Sequence, residues 1–130
     1  MKNETRQWCA YAGDNYQSAC LLLKERLYIP CLQNTQQAIE KWLKAVLIER
    51  GKSPQKTHST AGLIQTLKEE GAVIPLSEDE TDLLDAIYLP SKYPLGDALP
   101  EFVADEAICR HCLAIAERVK GAVIQILKSS

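Results

Sequence analysis

Apolar residues recur at three- and four-residue steps along most of this chain, and that period limits what it can fold into. Trp8, Ala12, Tyr16, Ala19, Leu22, Leu23 and Leu27 fall on one stripe of an α-helix. No proline precedes Pro30, so the spacing predicts a first helix from about Asn3 to Leu27. Pro30 suits the first turn of a second helix, where its missing N–H costs nothing. Leu32, Ile39, Trp42, Leu43 and Val46 give that helix its buried stripe, with Gln33, Gln37, Lys41 and Lys44 on the opposite face. Gly51 is placed to end it in the left-handed conformation, and Lys52 to Lys56 make a basic loop.

Thr57 or Ser59 can cap a short third helix carrying Leu63, Ile64 and Leu67 and ending at Gly71. Ser77 and Glu80 read as a capping box that opens a fourth, with Leu83, Leu84, Ile87 and Tyr88 as its apolar residues and Pro90 as its stop. Pro90 to Val103 reads as a loop, long enough for a compact helical domain that it should cover or bind something. The last helix runs from about Ala104 to Lys128 on the stripe Ile108, Cys112, Ile115, Val119, Ala122 and Ile126. No strand alternation and no repeat stand out. The expected fold is all-α: an up-and-down antiparallel bundle of about five helices, three long and two short, with helix 3 packed across an end.

The 130 residues fit one domain spanning 1–130, and 46% apolar residues suffice for a core. No window approaches about 18 consecutive apolar residues, so a membrane span is not expected. The polar start lacks the apolar stretch of a secretory signal. Five cysteines, an odd number without an export signal, read as reduced thiols in the cytoplasm. The net charge of −2 argues against a chain that coats nucleic acid over its whole surface. That balance hides an asymmetry. Residues 1–56 carry 9 Lys/Arg against 5 Asp/Glu, and residues 57–130 carry 6 against 12. The helix 2 face and its basic loop can attract phosphate, whereas the acidic helix 4 region suits a basic protein surface or the basic half of a second copy.

Trp8, Asp14, Ala19, Leu22, Leu23, Tyr28 and Cys31 are followed by the run Gln36-Gln37-Ala38-Ile39-Glu40-Lys41, then Leu43-Lys44-Ala45, Thr57-His58 and Tyr93-Pro94. This order and spacing resembles the HEPN domain family over nearly the whole chain. The resemblance implies a helical bundle, often a homodimer, commonly encoded in prokaryotes beside a small nucleotidyltransferase. Some members are ribonucleases or toxins; others are thought to bind nucleotides or to act as partner modules. Fold alone does not choose among these.

The ribonuclease members resemble one another in an Arg and a His four to six residues apart. This chain departs from that pattern. Arg50 precedes His58 by eight positions, and Arg110 adjoins His111, so the two side chains point about 100° apart on a helix. Lys92-Tyr93-Pro94 stands where the family often has Arg-Tyr-Pro, and Lys lacks the bidentate fork.

Gln37, Lys41 and Lys44 read either as a phosphate-contacting stripe or as a solvated face with a Glu40–Lys44 pair. His58 reads as a general base or phosphate donor, or as a packing residue that ties the Thr57 turn to the bundle; the second is preferred. Tyr93 can stack on a base or plug the bundle end. Cys109-x-x-Cys112 supplies at most half of a zinc shell and reads as core, so no metal and no cofactor is expected. Leu47 and Ile48, near the polar side of helix 2, are candidates for an interface.

The expected function is a non-catalytic module that homodimerises and engages a partner, for example a nucleotidyltransferase, or a nucleotide. Its candidate ligand-binding residues are Gln37, Lys41, Lys44, His58, Lys92 and Tyr93. The alternative is a metal-independent ribonuclease toxin of a toxin–antitoxin pair. It would use His58 or His111 as acid/base, with Arg50, Lys92 or Arg110 steadying the phosphate.

Overall fold

Helix α1 (Asn3–Lys24) stops short of Leu27 because Arg26 takes a left-handed φ of 58°. The Arg26 and Leu27 amides then turn back onto the carbonyls of Leu23 and Leu22. Helix α2 (Tyr28–Glu49) starts at once, so the tight turn forces it antiparallel to α1. The register shows in the contacts: Thr5 Oγ1 donates to Glu49 Oε1 at 2.9 Å, and the Tyr16 and Trp42 rings lie 6.0 Å apart. Gly51, with φ 76°, ends α2 as its position suggests. The computed structural model describes residues 1–53, 56–88 and 103–129, and everything said of the structure concerns these.

Helix α3 (Thr60–Glu69) is capped by Ser59, whose hydroxyl accepts from the Gly62 amide at 3.1 Å. Asp85 reinforces that end by accepting from the Thr60 amide. Helix α4 (Glu78–Tyr88) opens on the expected capping box. The Ser77 amide donates to Glu80 at 2.9 Å, and the Glu80 amide donates to Ser77 Oγ at 3.1 Å. Helix α5 (Glu106–Lys128) is capped by Asp105, which accepts from the Ile108 amide. The described residues are all-helical, with five helices and no strand. No described helix is long and apolar enough to cross a membrane.

The contacts give the directions. Tyr28 O meets Cys109 Sγ where α2 and α5 begin, so these two helices run the same way. Arg50, at the end of α2, donates to Glu70 O just past the end of α3. Arg118 of α5 holds Glu80 near the start of α4 at 2.8 Å, while Ile87 near its end packs with Cys31 and Cys109. Helices α2, α3 and α5 therefore point one way, and α1 and α4 the other.

Helix α2 is the axis of the molecule. Fourteen of its residues are buried, among them Leu47 at 0% and Ile48 at 4% exposure. The expectation that Leu47 and Ile48 face a partner is therefore wrong. Their side of α2 is covered from within the chain, as the unbroken apolar run from Ala45 to Ile48 allows. Helix α3 does not merely close an end: Leu63 and Leu67 enter the same core as Leu43, Val46 and Leu84. A second cluster joins Ala19, Cys31, Leu32, Ile87, Cys109 and Cys112. Cys109 and Cys112 are core residues, and burial pushes both thiols up to about 12.

Candidate functional site

Gln36, Glu40 and Lys44 are spaced four apart on α2 and so stand in one line along it. In a peripheral helix such a line would face water. Here α2 is enclosed, and Glu40 is only 3% exposed and Lys44 only 6%. The sequence reading of Lys44 as part of an exposed stripe is overturned by that enclosure, and Gln37 and Lys41 are half-buried.

A buried carboxylate needs donors. Glu40 Oε1 accepts from Lys44 Nζ at 2.8 Å and from His58 Nδ1 at 2.7 Å. Glu40 Oε2 accepts from Gln36 Nε2 at 3.3 Å, and Gln37 Nε2 donates onward to Gln36 Oε1 at 2.8 Å. The Lys44 ammonium also stands 6.0 Å from the centre of the Trp8 ring, which brings α1 into the cluster.

His58 is held twice. Besides its bond to Glu40, its ring stacks on Tyr88 of α4 at 4.3 Å with 12° between planes. The segment before α3 is thereby pinned to α2 and α4 together. A carboxylate partner fixes the hydrogen on Nδ1 and leaves Nε2 as the other ring nitrogen. The His58 side chain keeps 44% of its surface exposed.

A second polar strip joins α1 to α2. Lys41 Nζ donates to Asn15 Oδ1 at 2.6 Å, Asn15 Nδ2 donates to Asn34 Oδ1 at 3.0 Å, and Asn34 Nδ2 donates to Pro30 O. Lys41 and Lys44 are therefore held separately: Lys41 by Asn15 of α1, Lys44 by Glu40 on its own helix with the Trp8 ring of α1 nearby. Beside the Glu40 cluster a groove of about 250 Å³ is lined by Gln33, Gln36, Gln37, Ile87 and Tyr88.

The remaining candidates do not join this cluster. Arg110 pairs with Glu106 at 3.4 Å and lines a groove between α1 and α5; His111 is exposed on α5. Arg50 is engaged with the Glu70 carbonyl. Lys92 and Tyr93, with the loop expected around them, lie outside the described residues. Among the described residues no group of three or more His, Cys, Asp or Glu side chains is placed to hold a metal ion. Sequence reasoning missed the hub itself. Glu40, Gln36, Trp8 and Tyr88 were not singled out as site residues, although the four-residue spacing of Gln36, Glu40 and Lys44 was available as a signal.

The polar line on α2 is the part of the chain that carries the family run. The HEPN domain profile matches residues 5–127, nearly the whole length. The chain belongs to the HEPN domain family. The crystal structure of TT1696 from Thermus thermophilus is similar to this HEPN domain, with a TM-score of 0.79 and 27% identity over 96% of this chain and 99% of that one. No protein with a curated description is significantly similar in sequence. Within this HEPN domain, Gln36, Glu40 and Lys44 of that run meet the distant His58 in one cluster centred on Glu40.

Proposed function

We propose that this HEPN domain is a single-domain cytoplasmic module that works by binding: it pairs with a second copy and engages a partner, a nucleotidyltransferase or a nucleotide, without cleaving RNA. One observation carries the reading. Among the described residues, the α2 cations that the sequence offers to a phosphate are engaged within the chain, Lys44 on Glu40 and Lys41 on Asn15. Catalysis on a phosphodiester asks for an acid/base and a charge-stabilising group converging on the reacting atoms. Among the described residues His58 sits against α4, Arg110 sits over the α1/α5 groove, and Arg50 is turned to α3. A nucleotide partner would find amides at Gln33 and Gln37 and the Tyr88 ring in the groove beside the cluster.

The alternative, a metal-independent ribonuclease toxin of a prokaryotic toxin–antitoxin pair, keeps one observation in its favour. Glu40 holds His58 through Nδ1, as a carboxylate orients a working imidazole. Light scattering on the purified chain, together with a thermal-shift series over nucleotides, tests the binding reading. Twice the chain mass, or a melting point that climbs with nucleotide concentration, is expected. A monomer at every concentration that no nucleotide stabilises, and that does not bind a co-expressed nucleotidyltransferase, would refute it.

A further inference from the structure

We propose that the face made by α1 and α5 is where the second copy docks, with the two-fold axis running along the groove between these helices. This rests on the homodimer reading above and names its surface.

The groove holds about 600 Å³. Cys20, Leu23 and Leu113 line it, and Tyr16 bridges it by donating to Glu117 Oε1 at 2.5 Å. The helices flanking it are built for close approach. On α5, Ala107, Ala114 and Gly121 are exposed and fall seven residues apart on one stripe. On α1, Ala10 is exposed, and neither Gly13 nor Gly121 has any atom within 4 Å of where a Cβ would stand. A neighbouring helix can therefore come close to both.

Small residues alone name no occupant; the charges do. Lys24 and Arg26 close the α1 side of the face, and among the described residues neither has an ion-pair partner. Asp105 and Glu106 open the α5 side, and both are exposed; Arg110, one turn on in the same groove, pairs with Glu106 at 3.4 Å. These two ends lie at the same height, since Tyr28 O and Cys109 Sγ are 3.5 Å apart. A two-fold axis along the groove lays α1 of one copy over α5 of the other without reversing their heights. Each copy's Lys24 and Arg26 then meet the other's Glu106, sharing it with that copy's own Arg110, twice by symmetry. An axis across the groove would set α1 on α1 and give no such match.

The area suffices. Helices of 22 and 23 residues are about 33 Å long, and two side by side are about 20 Å wide. The face offers roughly 650 Å² per copy, or roughly 1,300 Å² in all, within the range of stable specific interfaces.

Sedimentation velocity across a concentration series, with helical circular dichroism as the control for folding, tests the assignment. Lys24→Glu and Glu106→Lys, both exposed, should each weaken the dimer at least tenfold, and combining them should restore most of the loss. Ala114→Trp should weaken it by steric block without touching a charge. A wild-type dimer left unchanged by Lys24→Glu and by Ala114→Trp would overturn this face while the homodimer reading stands. A wild-type chain that stays monomeric would overturn both.

Discussion

Removing the Glu40 carboxylate should damage this protein more than its single charge suggests. Glu40 accepts from Lys44, His58 and Gln36, and the Glu40 and Lys44 side chains are 4% and 8% exposed. In Glu40→Ala the Lys44 ammonium stays buried with its charge uncompensated. Breaking a buried pair from one side costs about 3–5 kcal/mol. A domain of this size holds about 5–15 kcal/mol in all. At an unfolding entropy of about 2.1 cal/mol/K per residue, the loss corresponds to a fall of about 10–20 °C in Tm. The assay is urea denaturation followed by circular dichroism, with the m-value checked for constancy. The double variant Glu40→Leu with Lys44→Met removes both ions and should recover most of the loss, since a buried ion pair is often replaceable by apolar groups at little cost. A Glu40→Ala cost below about 1 kcal/mol, the level of an exposed pair, would refute the claim that this cluster is a buried structural hub.

Three further outcomes follow from the same contacts. His58→Ala loses both the bond to Glu40 and the stack on Tyr88 and should lower stability by about 1–2 kcal/mol, whereas His58→Phe keeps the stack and should lose less; unchanged melting of the alanine variant would sink the packing role. Burial raises the Cys109 and Cys112 thiols from their ordinary value of 9.0 to about 12, so their contribution is complete below pH 9 and is lost as pH rises from there towards 12. A pH titration of stability should show that alkaline fall, and Cys112→Ala should flatten it. Arg118 beside Glu80, with the Ser77 amide, holds the Glu80 carboxyl below its usual 4.5, so that stabilisation is present above pH 4.5 and is lost as pH falls further; Glu80→Gln should reduce acid sensitivity in that window.

Much of the fold was legible because each helix carries its own punctuation. The Ser77–Glu80 capping box and Gly51 act where their chemistry places them. The first helix was read too long because nothing local marks Arg26 for a left-handed conformation. The larger miss concerns α2. Its stripe of Gln37, Lys41 and Lys44 was read as solvated or ligand-facing, since a helix with one apolar stripe normally keeps its polar side in water. Covering by α1, α3, α4 and α5 reversed that, and only tertiary packing supplies those neighbours. The apolar residues all round its C-terminal half were the available hint. His58 bonds to Glu40, eighteen residues away, and no local pattern pairs them.

The claim that this HEPN domain binds rather than cleaves is tested most directly by incubating the purified chain with single-stranded and hairpin RNA in excess EDTA and resolving the products on a denaturing gel. Intact RNA at stoichiometric protein is the expected result. Cleavage that disappears in a folded His58→Ala or His111→Ala variant would contradict the account and establish the nuclease alternative.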